Sequence, residues 1–248
     1  MIKTYRLFIK SIKLFILFLF FIDFSYGQTH FNSSNEKIRY YKERYKVQNA
    51  YEKITDNHGN GFESLYGTRN MRVILFGVAY RGGANNYYHK TNKRDNKNPL
   101  PADGIMNLSK EGFSTAVYLY NTNYNDSLQL FVNENSKDTL WYLQNSLNSR
   151  AKIRELMLLV KSAIDNPQKG PIYLHCWNGW HQSGFSAALI LMQFCKITNE
   201  QALEYWRLNT DGLFEGYEHI EKRIYEFRPF DDINISDSTR MQICPCLK

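Results

Sequence analysis

An apolar strand pattern runs directly into a loop that contains a cysteine, and an apolar helix pattern follows the loop. Residues 171–174 form the strand pattern, 175–184 the loop and 184–194 the helix pattern. A strand, a loop and a helix in this order form the repeating unit of parallel sheets that are covered by helices. The feature therefore constrains the chain to an α/β fold, with Cys176 in a loop at the start of a helix.

The rest of the chain alternates in the same way from residue 71 onwards. Short apolar runs typical of buried strands are followed by apolar residues at helical spacing. We therefore predict an α/β fold with a central, mostly parallel sheet flanked by helices in three layers. The predicted strands are 73–76, 78–80, 116–119, 140–143 and 171–174, and the predicted helices start near Pro101 and cover 150–164, 184–194, 199–208 and 217–227.

The first 27 residues have the order of a secretory signal peptide. Four basic side chains are followed by an apolar run over 14–22 and by small residues at Ser25 and Gly27. The alternative is an uncleaved membrane anchor, but the apolar run is short for a membrane-spanning helix. We predict cleavage after Gly27 and a periplasmic or extracellular location.

The remaining chain is predicted to hold one folded domain with short additions at each end. Residues 28–70 are predicted to be an N-terminal extension packed on the domain, 71–230 the domain itself and 231–248 a C-terminal tail. The net charge of +7 falls to about +4 without the leader, and no Lys/Arg stripe stands out. The composition therefore predicts no nucleic-acid partner and is compatible with an anionic substrate.

Four cysteines follow the leader, and their spacing does not indicate a disulfide-stapled miniature domain. Cys195 falls on the apolar face of a predicted helix, where a free cysteine acts as a small hydrophobic residue. Cys244 and Cys246, separated by one proline, could form a local disulfide, half of a metal site, or neither. No metal site is predicted, because no His/Cys pair has ligand spacing.

The cysteine loop is suited to binding an anion. A loop between a strand and a helix points backbone N–H groups into one concavity, where the helix dipole adds positive potential. A cysteine at the base of the loop is stabilised as thiolate, so Cys176 is the predicted nucleophile. Gly179 permits the tight path, Ser183 can cap the helix or hydrogen-bond the sulfur, and His175 is placed to orient the loop from beneath.

The motif His175-Cys176-x-x-Gly179-x-x-Gln182-Ser183 resembles the signature loop of the cysteine-dependent protein tyrosine and dual-specificity phosphatases. Residues 80–84, 100–108 and 112–119 look like the opening of an atypical dual-specificity phosphatase, and the order of elements is similar over about 71–228. The resemblance implies a phosphatase-like domain whose cysteine attacks phosphorus. It implies phosphate binding by Trp177, Asn178, Gly179, Trp180, His181 and Gln182.

Two positions depart from that family. Gln182 stands where the family carries the arginine that clamps the phosphoryl oxygens, and its amide has neither charge nor a bidentate fork. Loss of one preorganised donor typically costs on the order of 10²–10³ in rate. The family's general acid, an aspartate, is also absent, because residues 144–149 contain no carboxylate.

Other side chains are candidates for the missing functions. Asp211 is the predicted general acid, although its turn is also explained as a plain helix end. Asp126, Asp138 and His181 could reach the site from other loops. Arg81 could supply the missing positive charge, since its loop flanks the site in the family; the alternative is a surface arginine.

Three functions follow from these features. The first is an exported phosphatase that hydrolyses phosphomonoesters through a phosphocysteine, acting on a phosphorylated small molecule or protein. The second is a degenerate domain that binds a phosphorylated or sulfated ligand without turnover, and the third is rhodanese-like sulfur transfer, against which the upstream resemblance argues. Trp177 and Trp180 either select a ligand with an apolar or sugar-ring face or simply pack over the pocket. No cofactor and no stable membrane insertion after cleavage are predicted.

Overall fold

The computed structural model describes residues 31–84, 99–134 and 138–247. The predicted leader, 1–27, lies outside the described residues. Within them the strands are β1 (Thr68–Leu75), β2 (Ala79–Ala84), β3 (Thr115–Tyr118), β4 (Leu130–Val132), β5 (Thr139–Gln144) and β6 (Ile172–Cys176). The helices are α1 (Ser34–Tyr45), α2 (Ala102–Lys110), α3 (Arg150–Asp165), α4 (His181–Cys195), α5 (Asn199–Leu208), α6 (Glu218–Glu226) and α7 (Asp237–Ile243).

The strands form one mixed sheet in the order β1-β2-β6-β3-β5-β4. The four central strands β2, β6, β3 and β5 are parallel, and the edge strands β1 and β4 are antiparallel to their neighbours. The predicted α/β class with a mostly parallel sheet flanked by helices is therefore confirmed. The antiparallel pair β4–β5 was not predicted, since β4 has only three residues and they are largely exposed.

Helices cover both faces of the sheet. Alternate residues of a strand point to opposite faces, and in β2 the Tyr80 ring packs against Tyr41 and Tyr45 of α1. Its neighbour Arg81 lies on the other face, within reach of Gly184 in α4. Residues upstream of the predicted domain boundary at 71 thus contribute to the core, and β1 itself begins at Thr68.

A disulfide joins Cys195 at the end of α4 to Cys244 after α7. The expectation that Cys195 is a free hydrophobic side chain is therefore corrected, and of the alternatives left open for Cys244 and Cys246 the local disulfide is excluded. The partners lie 49 residues apart in sequence, so spacing alone does not reveal the pairing. Cys176 and Cys246 are free.

Among the described residues, no helix combines the length and the apolar character needed to cross a membrane.

Candidate active site

The cysteine loop lies at the edge of the sheet where the parallel strands end. Cys176 is the last residue of β6, and α4 begins five residues later at His181. Ligands of open parallel sheets bind at the carboxyl ends of the strands. Residues 177–180, which connect β6 to α4, therefore occupy the place in the fold where a binding site is expected.

Two glycines let this loop lie directly against β2. Gly83 pairs with Cys176 in the parallel ladder, and a Cβ on Gly83 would come within 2.3 Å of the Trp177 carbonyl oxygen. Gly179 has φ +79°, and a Cβ there would lie 2.7 Å from the backbone of Gly82 and Gly83. The predicted strand over 78–80 continues in the structure through Arg81-Gly82-Gly83. Glycine is needed in this part of the strand because only glycine permits such a close approach of two backbones.

The carbonyl groups of the loop point into the protein. Each one accepts a hydrogen bond from a group beneath it. The pairs are Cys176 O with His175 Nδ1 (3.1 Å), Trp177 O with Ala84 N (3.0 Å), Asn178 O with Asn70 Nδ2 (2.8 Å), Gly179 O with Arg81 Nη1 (2.7 Å) and Trp180 O with Gly184 N (3.0 Å).

The N–H groups of residues 178–180 are available to a ligand, because no hydrogen bond between described residues uses the N–H of Asn178, Gly179 or Trp180 as its donor. The first N–H groups of α4 have no partner within the helix and add the positive end of its dipole. The arrangement can hold an anion with several oxygens above Cys176.

The Cys176 sulfur is linked to a buried cation through a serine. Its Sγ lies 3.5 Å from Ser183 Oγ, and Arg81 Nη1 lies 3.5 Å from the same oxygen. Because Arg81 donates to Ser183, the hydroxyl hydrogen of Ser183 is available to a thiolate at Cys176. The side chain of Cys176 is only 4% exposed, so this partner acts in a poorly solvated environment where hydrogen bonds to charge are strong.

Arg81 is fully buried, which corrects the alternative of a surface arginine. Its hydrogen bonds to described residues reach only uncharged oxygens, on Gly179, Trp180, Ser183 and Asn209. An arginine keeps its charge in proteins, and a buried charge without a counterion is costly. The charge beneath the loop therefore favours an anion above it.

Sequence reasoning missed two further arginines, Arg69 and Arg72, which are both almost fully buried in β1. Arg69 Nη2 donates to Asn178 Oδ1 at 2.9 Å and so holds the loop. Burial, followed by repulsion from Arg81, lowers the pKa of Arg72 to about 10. The available signal was Arg72, directly before the apolar run that predicted the strand over 73–76.

His175 is buried and neutral. Leu100 N donates to the Tyr142 hydroxyl (3.0 Å), so that hydroxyl can give its own hydrogen to His175 Nε2 (2.9 Å). The ring hydrogen then lies on Nδ1, which donates to Cys176 O. Burial lowers the pKa of His175 to about 3. His175 thus supports the loop from beneath, in the position predicted for it, and carries no charge.

Asp211 lies beside the loop but is held as a carboxylate. Its oxygens contact Lys53 Nζ (2.7 Å), Arg72 Nη2 (3.2 Å) and Trp180 Nε1 (3.1 Å). Burial acts to raise the pKa of Asp211, but Lys53, Arg72 and Trp180 together lower it below its usual value. Asp211 is therefore poorly suited to donate a proton, and its hydrogen bond instead fixes the Trp180 ring.

The remaining predicted residues lie in the loop and at the start of α4. Trp177, Asn178, Trp180, His181 and Gln182 are partly exposed. The His181 ring stacks on Tyr217 with centroids 3.5 Å apart, and burial lowers its pKa. The Oε1 atom of Gln182 is buried and has no hydrogen-bond partner among the described residues.

The other proposed acids are not brought to the loop by the described structure. Asp138 precedes β5, so it lies at the amino ends of the parallel strands, opposite the cysteine loop. The side chain of Asp126 lies outside the described residues.

In the described ranges, no group of three or more His, Cys, Asp or Glu side chains is placed to hold a metal ion.

No family model and no curated protein matches the chain. Several solved structures are similar to it. P. aeruginosa TpbA is 15% identical, with 68% of this chain and 89% of that chain covered and a TM-score of 0.40. Tk-PTP in its active form is 15% identical, with 64% and 98% covered and a TM-score of 0.42. The core catalytic domain of the PP-IP phosphatase SIW14 from S. cerevisiae is 12% identical, with 66% and 88% covered and a TM-score of 0.42.

These neighbours are cysteine-based tyrosine or dual-specificity phosphatases. At these TM-scores the likeness carries no argument about this chain, and the chemistry of the site rests on its own geometry.

Proposed function

We propose that the protein is a cysteine-dependent phosphatase that hydrolyses phosphomonoesters through a phosphocysteine. The Cys176 sulfur attacks phosphorus and forms a P–S bond as the bond to the leaving oxygen breaks. Water then attacks phosphorus, the P–S bond breaks, and phosphate is released. The observation that carries the proposal is the loop itself, whose carbonyls accept hydrogen bonds while the N–H groups of residues 178–180 have no acceptor among the described residues, next to a free, buried cysteine.

In the cysteine-dependent phosphatases an arginine in the loop supplies positive charge. In this protein Arg81 supplies it from beneath the loop. Arg81 contacts the loop carbonyls and Ser183, and it is not neutralised by a carboxylate among the described residues. Such a cation stabilises both the thiolate and the phosphoryl oxygens through the low-dielectric interior. Arg81 does not touch the substrate. We therefore expect a smaller rate enhancement than an arginine in the loop would give by binding the phosphoryl oxygens directly.

A degenerate phosphatase that only binds its ligand is the second candidate. The specific observation in its favour is the state of Asp211, which is held as a carboxylate by two cations. Gln182 also leaves the loop without a cation of its own. A phosphorylated or sulfated ligand would then bind to the same amides without turnover.

We also propose that the protein is exported and that its ligand is phosphorylated. The Cys195–Cys244 disulfide supports an oxidising compartment, since disulfides persist there. The loop amides suit a phosphorylated small molecule or protein, and Trp177 and Trp180 at the mouth suit a ligand that presents an aromatic or sugar-ring face.

Hydrolysis of an aryl phosphate by the chain without residues 1–27 tests the proposal. We expect turnover that is lost in Cys176→Ser and retained in Cys246→Ser, which removes the other free thiol. A phosphate adduct on Cys176, detected by mass spectrometry after rapid acid quench, identifies the intermediate. No turnover, combined with a rise in melting temperature in orthovanadate, establishes the binding-only alternative. If Cys176→Ser turns over the substrate as fast as the unmodified protein, both candidate functions are contradicted.

A further inference from the structure

The edge strand β1 carries a bulge next to the cysteine loop. Its pairing with β2 shifts between Arg69 and Arg72, so Asn70 and Met71 together lie opposite the single residue Gly82. Asn70 has φ +50°, in the left-handed region that asparagine adopts more readily than most other residues. Bulges redirect side chains and are frequent beside active sites. The bulge turns the Asn70 side chain towards the loop.

The Asn70 amide donates two hydrogen bonds. Its Nδ2 donates to Asn178 O at 2.8 Å and to Asn57 Oδ1 at 2.9 Å, so both of its hydrogens are used. The side chain is fully buried, and its Oδ1 has no hydrogen-bond partner among the described residues. A reversed amide would place that oxygen against two other oxygens. The orientation of the amide is therefore fixed by its two donors.

The hydrogen bond from Asn70 sets the direction of one loop amide. Asn178 O and the N–H of Gly179 belong to the same peptide group, which is trans, so they point in opposite directions. The Gly179 N–H therefore points away from Asn70, and it has no acceptor among the described residues.

This peptide needs to be held because Gly179 does not hold it. Gly179 has φ +79°, and glycine adopts positive and negative φ about equally readily. The peptide before it can therefore turn over at little steric cost. Turned over, it would present the Asn178 carbonyl oxygen where the Gly179 N–H now lies, and that oxygen repels an anion.

A second side chain of β1 completes the support. Arg69 Nη2 donates to Asn178 Oδ1 at 2.9 Å and to Asn57 Oδ1 at 2.8 Å. Asn57, Arg69, Asn70 and Asn178 thus form a closed ring of hydrogen bonds that holds both the backbone and the side chain of Asn178. None of these bonds involves Cys176 or the groups linked to its sulfur.

We propose that Asn70 is a positioning residue that keeps the Gly179 N–H directed at the bound phosphoryl group. This inference rests on the proposed function, in which the loop amides bind the anion. Asn70 itself does not touch the substrate. It acts through the Asn178–Gly179 peptide, and Asn57 and Arg69 keep its amide in place.

The test replaces Asn70 by glycine, which adopts the same left-handed backbone but has no side chain. We expect Asn70→Gly to bind orthovanadate about 10-fold to 10²-fold more weakly, because one hydrogen bond to the anion is no longer held in place. The kcat/KM for an aryl phosphate should fall by about 10²-fold. Lys46→Gly changes an exposed left-handed residue after α1, at φ +53°, and should leave both values unchanged.

The melting temperature without ligand separates positioning from folding. A cooperative transition in Asn70→Gly together with weaker orthovanadate binding supports the proposal, since a purely structural role would not change the affinity of the folded protein. If Asn70→Gly does not fold, Asn57→Ala removes the partly exposed acceptor of the ring. That variant should weaken orthovanadate binding several-fold, whereas Asn60→Ala in the same segment should not.

Unchanged orthovanadate affinity in folded Asn70→Gly, or in Asn57→Ala where it is the variant used, overturns the role of Asn70 while the proposed function stands. If the unmodified protein neither binds orthovanadate nor turns over an aryl phosphate, the proposed function itself fails, and the positioning role fails with it.

Discussion

At the scale of single residues, Ser183 connects the nucleophile to the positive charge beneath it. The serine oxygen lies 3.5 Å from both Cys176 Sγ and Arg81 Nη1. Ser183→Ala removes this link without adding volume. We expect slower alkylation of Cys176 by iodoacetamide at pH 7 and a kcat about 10-fold to 10²-fold lower. Unchanged alkylation would show that Ser183 serves only as packing at the start of α4.

His175 makes folding sensitive to acid. The folded protein keeps His175 neutral down to about pH 3, whereas the unfolded chain takes up a proton near 6.5. The unfolded state thus binds more protons in this window, and stability falls as pH drops from 6.5 towards 3. In urea unfolding at pH 6, 5 and 4, His175→Asn should reduce this slope by up to about 1.4 kcal/mol per pH unit. If the free energy of unfolding depends on pH equally in His175→Asn and in the unmodified protein, His175 is not a buried neutral histidine.

The sequence allowed some of these residues to be identified and not others. Cys176, Ser183 and Gly179 follow from a local motif, so their roles could be predicted from neighbouring residues. Arg69 and Arg72 lie in β1 and contact Asn178 of the loop and Asp211 beside it, more than a hundred residues away along the chain. Their contribution depends on strand order, which a single sequence does not reveal.

At the scale of secondary-structure elements, the contact between β2 and the cysteine loop decides whether the site forms. Gly83→Ala would place a Cβ 2.3 Å from Trp177 O, so the loop or the strand must shift. A displacement of about 1 Å at an active site costs on the order of 10² in rate. We expect such a loss of turnover together with loss of orthovanadate binding.

The control is Gly216→Ala, which also replaces a glycine but meets no atom within 4 Å. Its positive φ of +81° costs some stability, as any alanine there would, and the position is five residues away from Asp211, which contacts the loop. If both variants lose activity equally, the close approach of β2 is not specifically required.

The elements themselves were predictable to different degrees. The helix over 150–165 has strong apolar periodicity and the strand over 172–176 a short apolar run, and the structure has the helix within one residue and the strand within two residues of the predicted bounds. The α7 helix in the predicted tail was missed, because its apolar contact with the body of the protein is limited mainly to Ile243. It is attached by hydrogen bonds from Phe76 N to Ile243 O and from Arg240 Nε to Phe194 O, and by the disulfide, which the sequence spacing did not indicate.

At the scale of the whole molecule, the Cys195–Cys244 disulfide ties the C-terminal segment to the helix that begins at the active-site loop. The two cysteines are 49 residues apart, for which chain entropy gives roughly 4 kcal/mol of stabilisation. We expect Cys244→Ser to lower the free energy of unfolding by about that amount in guanidinium titrations. Cys246→Ser, which leaves the disulfide in place, should unfold like the unmodified protein. If Cys244→Ser is equally stable, the disulfide has no structural role.

A crystal structure with bound orthovanadate would show whether the loop amides form an anion site at the cysteine. We expect one vanadate above Cys176, with its oxygens within hydrogen-bonding distance of the backbone N–H groups of residues 178–182 and its vanadium next to Sγ. Arg81 should remain beneath the loop, bonded to Gly179 O and Ser183 Oγ. A vanadate bound elsewhere, or a loop whose carbonyls rather than amides face the ligand, would contradict the account.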